Sequence, residues 1–305
     1  MDGFASDPTR PVFLLSATNY GIIPGGRMGC LYPSILRRFD RKIYIDLPTK
    51  EDRTLFMKKK TKNNSLFAIS SGKLEDLSVR STGMTLAELE SVFELSLRTA
   101  LIKGVRKVGD DVLEEAFESY SMGERKNVNG QMLERIAIHE SGHAYLSWIG
   151  GARPAYVSIV PRGDLGGYVQ SIPGEDAIRS KKHVLSQIRT ALGGRAAETV
   201  FYGESDGPST GAASDLANAT DIAFEMVCTF GMDEGYGLIV TDMDQAKADP
   251  DARAAVKRIL SAQMEEALKQ VTGGKEAIKG LAAELLTKNH LSEKEISTVL
   301  ERYLQ

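Results

Sequence analysis

The chain has 305 residues, 42% of them hydrophobic and 26% charged, with a formal net charge of −3. That is an ordinary soluble mixture, long enough for about two domains with a sizeable core, and it lacks the basic footprint of a nucleic-acid binder, so no nucleic-acid partner is expected. Cys30 and Cys228 lie far apart and form no disulfide framework, which suits a reducing compartment; the first ten residues are polar, and no window approaches about 18 consecutive apolar residues, so neither a signal peptide nor a membrane span is expected.

In chain order, residues 11–15 form a short apolar run that reads as a buried strand, with Ser16-Ala17-Thr18-Asn19 at its tip. A Gly-rich loop over 21–30 follows, then Arg37-Arg38-Phe39-Asp40-Arg41 and a second strand-like run over 42–48. Thr49 is placed to cap a helix that begins at Lys50. Leu86, Leu89, Phe93, Leu97 and Leu101 recur at helical spacing and predict a helix over 84–103, and another follows over 110–120. The polar stretch 121–130, with two glycines, reads as a domain boundary. Beyond it helices are predicted over 131–149, 176–201, 212–230, 251–271, 275–288 and 292–303. They are interrupted by two short strands at 156–160 and 167–172 that suggest a small hairpin or mixed sheet. The fold class is therefore mainly α with a small β element.

The sharpest chemical signal is His139-Glu140-Ser141-Gly142-His143. Histidines at i and i+4 lie on one face of a helix, so two imidazoles can hold one Zn²⁺, with Glu140 beside them as a general base rather than a ligand. A catalytic zinc needs a third protein ligand and an open position. Leu146 and Ile149 occupy the places where a metzincin would carry Gly and His, which excludes that class. Spacing leaves His183, Glu175, Glu198 and Asp215 as third-ligand candidates, and does not separate Glu198 from Asp215.

Five segments in order resemble the peptidase domain of the FtsH family of ATP-dependent zinc metalloproteases. They are His139–Ala144, Val157–Gly163, Leu165–Tyr168, Gly193–Glu198 and Ser209–Leu216. The resemblance implies Asp215 as third zinc ligand, and Glu198 then as the residue that orients a ligand histidine through its ring N–H. It also implies a zinc-dependent endopeptidase acting on unfolded or membrane-extracted polypeptides. The strand around Gly166, Gly167 and Tyr168 would accept an extended substrate by β-addition.

Upstream, Met1-Asp2-Gly3-Phe4, Ser16–Asn19 and Arg38-Phe39-Asp40-Arg41 resemble the latter half of an AAA ATPase module, and Gly83–Leu89 resembles its helical lid. This implies residues 1–50 as the end of an AAA α/β subdomain, 51–125 as the lid and 126–305 as the peptidase domain. It also implies Asn19 as nucleotide sensor, Arg38 and Arg41 as arginines acting in trans, and a homo-hexamer. The segment before the arginines departs from the family pattern, and Arg37 stands where Gly is usual, which leaves Arg37, Arg38 and Arg41 as alternatives for the finger. No Gly-x-x-x-x-Gly-Lys-Ser/Thr occurs, nor an acidic Walker B strand, so ATP and Mg²⁺ are expected only in a complete AAA module and not in this chain alone. A fragment of a longer, membrane-anchored protein accounts for this better than a chain that lost its motor. The location expected is the cytoplasmic side, membrane-associated where an upstream anchor exists and soluble otherwise. The rival readings are an ATP-independent peptidase and a catalytically silent, zinc-bearing assembly module.

Overall fold

The computed structural model describes residues 39, 41, 43, 45–62, 64–162, 166–171 and 178–303. The chain separates into two units, Met1–Leu47 and Pro48–Gln305. In the first, the strand expected over 11–15 lies outside the described residues. The strand expected over 42–48 is not formed at its described positions, where Ile43 and Ile45 are exposed and no strand among the described residues pairs with them.

The second unit is mainly helical. Its first four helices are α1 (Lys50–Lys62), α2 (Ser71–Arg80), α3 (Leu86–Ile102) and α4 (Asp110–Met122). Thr49 accepts from the Asp52 amide while Asp52 accepts from the Thr49 amide, the reciprocal cap that starts α1. Thr85 and Glu88 form the same box at α3. These helices close on Met57, Leu74, Leu77, Phe93, Leu113 and Phe117. Helix α2 was not anticipated: its apolar positions are too few for a clear stripe, and its burial comes from neighbours distant in sequence.

The remainder comprises α5 (Gly130–Ile149), β1 (Pro154–Ser158), β2 (Tyr168–Ser171), α6 (Lys181–Ala191), α7 (Gly193–Asp206) and α8 (Ala213–Cys228). It continues through α9 (Met243–Ala248), α10 (Pro250–Gly273), α11 (Lys275–Lys288), β3 (His290–Ser292) and α12 (Glu293–Tyr303). The three strands form an antiparallel sheet in the order β2-β1-β3, with Val157 opposite Val169 on one side and Leu291 on the other. The hairpin matches expectation; β3 was not anticipated, because it is only three residues long and lies at the gap between the helices expected over 275–288 and 292–303. β1 is buried throughout and β2 is an edge strand.

The helix expected over 176–201 is two helices meeting at Leu192. The cause is the close approach of α7 to α5. A Cβ on Gly142 would stand 2.4 Å from the Gly193 carbonyl oxygen, and one on Gly193 would stand 2.9 Å from the Gly142 carbonyl oxygen. Only hydrogen fits at either position, and a change of direction at Leu192 delivers that fit. One apolar core joins α5, β1, α7, α11 and α12, and a second joins α6, α8 and α10. No helix among the described residues is long and apolar enough to cross a membrane.

Candidate metal centre

Asn129 caps α5 by accepting from the Met132 amide at 2.8 Å. With its start fixed, α5 turns Ala137, Ala144 and Leu146 into the core and brings His139 and His143 to one side, one turn apart. Asp215 reaches them from the first turn of α8, entered through the 3₁₀ turn Thr210–Ala212. His139 Nε2 lies 3.0 Å from Asp215 Oδ2 and 3.1 Å from His143 Nε2, and His143 Nε2 lies 3.4 Å from the same carboxylate oxygen. Ligands about 2 Å from a tetrahedral zinc stand about 3.3 Å from each other, so this triangle has the size zinc requires. Among the described residues, this trio is the group able to hold a metal ion, and it is consistent with a zinc site.

The far sides of both rings are fixed. His143 Nδ1 donates to the Thr190 carbonyl at 2.7 Å, and His139 Nδ1 faces Glu198 Oε1 at 2.9 Å. With each Nδ1 as donor, each Nε2 presents its lone pair toward the centre of the triangle. Glu198 is held in turn by Ser209, whose hydroxyl donates to Oε1 at 2.9 Å, and by Arg135, whose Nε lies 3.6 Å from Oε2. Arg135 also donates to the carbonyls of Asp206 and Gly207 and lies over the Tyr202 ring. Gly194 closes the packing: a Cβ there would stand 2.2 Å from His139 Nε2.

Burial alone would depress the His139 ring, but hydrogen bonds to Asp215 and Glu198 outweigh it and push its pKa up to about 10. Burial likewise would raise Asp215, yet hydrogen bonds from both histidines hold it well below the usual carboxylate range. The same contest, with His139 and Ser209 as donors, lowers Glu198. These directions describe a site that attracts positive charge between the rings and Asp215. Glu140 differs, since burial dominates and raises its pKa.

A cleft of about 1220 Å³ opens over the trio, lined by Glu140, Gly166, Gly167 and Tyr168 among others. Glu140 lies against the start of β2, where a Cβ on Gly167 would stand 2.9 Å from its Oε1. His183 lines the cleft without joining the metal group, and His290 stacks on Tyr156. Glu175, Asn19, Arg37 and Arg38 lie outside the described residues, and Arg41 is exposed in the first unit. Sequence reasoning missed Arg135, Ser209 and the Thr190 carbonyl. Arg135 stands one turn before His139, on the same helix face, which was a usable signal; the other two depend on packing.

Residues 127–299 match the model of peptidase family M41. Among curated proteins, the chain is 34% identical over 309 residues to ATP-dependent zinc metalloprotease FtsH 2 of Thermoanaerobacter sp. (strain X514), covering 99% of this chain and 58% of that one. It is 37% identical over 247 residues to the FtsH metalloprotease of Aquifex aeolicus, covering 78% of this chain and 37% of the relative. It is 33% identical over 330 residues to that of Sulfurovum sp., covering 100% and 47%. The chain thus spans roughly two fifths to three fifths of the length of these relatives. The family match over more than half of the chain, together with a His-His-Asp trio of zinc-binding size, places the protein in peptidase family M41, among the FtsH-type zinc metalloproteases.

Proposed function

We propose that the chain is a zinc endopeptidase acting on unfolded or extracted polypeptides, with His139, His143 and Asp215 as ligands and Glu140 as general base. The observation that carries this is the convergence of three donor atoms, 3.0–3.4 Å apart, on the floor of a cleft that Glu140 also lines. Zinc held there would lower the pKa of a water molecule and polarise a peptide carbonyl. Glu140 takes a proton from the attacking water and returns it to the leaving amine, a task that suits a carboxylate whose pKa burial raises. Glu198 keeps the His139 ring oriented. Gly166, Gly167 and Tyr168 bring the free edge of β2 to the cleft, where an extended chain can pair through its backbone, largely independent of sequence.

Residues 126–305 then form the peptidase domain, α1–α4 the helical lid of an AAA module, and residues 1–50 the end of its α/β part. Asn19, Arg38 and Arg41 would read nucleotide in a neighbouring subunit of a homo-hexamer, with ATP and Mg²⁺ bound only where a complete module is present. The relatives' names, ATP-dependent zinc metalloproteases, support this part.

Glu140→Gln tests the chemistry. Casein hydrolysis is expected to fall by on the order of 10³-fold while zinc content stays that of the parent. Hydrolysis at the parental rate in the zinc-loaded variant would refute Glu140 as the base.

A further inference from the structure

β2 is short, has one strand partner, and none of its four residues is fully buried. Backbone pairing to β1 holds one edge, and the opposite edge is unpaired among the described residues. Tyr168 and Gln170 both reach a single residue of the N-terminal helices. The Tyr168 hydroxyl accepts from Arg80 Nη2 at 3.0 Å, and Gln170 Nε2 donates to the Arg80 carbonyl at 2.6 Å.

Arg80, at the end of α2, is itself held by several partners at its two terminal nitrogens, while its Nε is buried with no hydrogen-bond partner among the described residues. Its side chain is fully buried; Nη1 donates to Glu114 Oε2 at 2.9 Å and Nη2 lies 2.8 Å from Oε1, a two-pronged pair with a carboxylate of α4. Its guanidinium lies 3.4 Å from the Tyr156 ring centroid, on β1, and 5.0 Å from that of Phe117. Tyr156 donates to Glu114 and lies within hydrogen-bond reach of Glu118, which Arg162 pairs in turn. Arg53 fixes the turn that follows α2 by donating to the Ser78 carbonyl, Ser81 and Thr82. Arg53, Arg80, Glu114, Glu118, Tyr156 and Arg162 do not line the cleft over the metal centre, and the metal chemistry uses none of them.

We propose that Arg80 is a positioning residue for the substrate-binding edge: it holds β2 from behind, so that helices α2 and α4 set where an extended polypeptide pairs in the cleft. The effect on substrate rests on the peptidase reading above, whereas the hold on β2 does not. A residue serving only as glue would lower stability on removal and leave the folded enzyme's substrate affinity alone. A positioning residue changes KM while zinc stays bound.

The test uses the 305-residue chain and compares the parent with Arg80→Met, Arg80→Lys and the double variant Tyr168→Phe/Gln170→Met. The double variant removes the two strand-side hydrogen bonds and leaves the buried Arg80–Glu114 pair in place. Two quantities are read: amide hydrogen exchange over residues 166–171, and kcat and KM on an extended, internally quenched peptide. Arg80→Met and the double variant are expected to exchange at β2 roughly tenfold faster, and to raise KM roughly tenfold with kcat within about twofold of the parent and zinc content unchanged. Arg80→Lys, which keeps the charge but loses the planar fork, is expected to fall between. Parental exchange and parental KM in a folded variant overturn the proposal. Should Arg80→Met not fold, the double variant decides by the same criteria. If the parent cleaves no peptide, the peptidase reading fails, and exchange at β2 still decides whether Arg80 holds the strand.

Discussion

The metal centre and the junction of α2, α4 and β1 are both buried knots of charged side chains, assembled from residues far apart in the chain, yet their charges balance differently. At the junction, Arg80, Lys73 and Arg162 face Asp76, Glu114 and Glu118, three cations against three anions. At the metal centre, Glu140, Glu198 and Asp215 crowd two imidazoles, and among the described residues Arg135 pairs with Glu198 alone. A metal ligand must be a neutral imidazole, so an ion bound there displaces the proton that His139 otherwise holds, and with the three carboxylates ionised two negative charges are left for it to balance, the charge of one zinc ion. A network that closes on itself fixes geometry, and a network left open binds something. The two sites should therefore fail differently when a carboxylate is removed.

The largest effect is expected at the open network. Asp215→Asn removes an anionic ligand and should abolish stoichiometric zinc binding, with proteolysis down on the order of 10³-fold, because carbonyl polarisation and water activation both depend on the ion. Circular dichroism should show the helices intact, since Asp215 is partly exposed and its side-chain contacts among the described residues are to the His139 and His143 rings. Loss of the folded state in this variant would mean that the site is part of the core, and the contrast with the junction would collapse.

At the closed network, Glu114→Gln should do the reverse. It leaves Arg80 and Lys73 buried opposite a neutral amide, and breaking a buried pair from one side costs about 3–5 kcal/mol of stability. Zinc affinity should be that of the parent. The effect carries a pH signature. Burial would raise the Glu114 carboxyl, but Arg80 and then Lys73 outweigh it and lower its pKa to about 2. A carboxylate with a depressed folded-state pKa stabilises fully above its unfolded value and loses that contribution as pH falls through the folded one. The parent should thus lose stability between about pH 5 and pH 2, and Glu114→Gln should lose less over the same range in acid-unfolding titrations. Equal slopes in the two proteins would assign the acid sensitivity to other carboxylates.

The two networks also differ in how far the sequence reveals them. His139, Glu140 and His143 are legible because helical geometry alone brings i and i+4 together, so spacing carries the chemistry. Asp215 and Glu198 stood as equals on spacing, and the distinction came from the family resemblance. In the structure it is one of depth: Glu198 meets the Nδ1 side of His139, and Asp215 meets the Nε2 side. The helical periodicity of α3, α5, α10 and α11 was readable for the same local reason. The division at Leu192 was not, because it follows from a glycine-to-glycine approach between helices some fifty residues apart. The junction was hidden altogether, since Arg80, Glu114, Tyr156 and Arg162 share no spacing and would each pass alone for a surface group or a core aromatic.

Glu198→Gln gives the smallest effect and the finest discrimination, because it touches the open network without removing a ligand. A glutamine keeps the shape and can still accept from Ser209, so the change isolates the charge behind His139 Nδ1. Residues that orient a metal-bound histidine usually contribute 10–100-fold in affinity, and with one acceptor retained about tenfold weaker zinc binding is expected in a competitive chelator titration. Stability without metal should fall modestly, since Arg135 and the His139 ring then face a neutral amide in place of a carboxylate whose pKa they help to lower. If zinc affinity were unaffected while stability fell, Glu198 would belong with the self-balanced junction. Its pair with Arg135 would then count as closed, and the argument for a divalent occupant would rest on Glu140, Asp215 and the triangle of donor atoms.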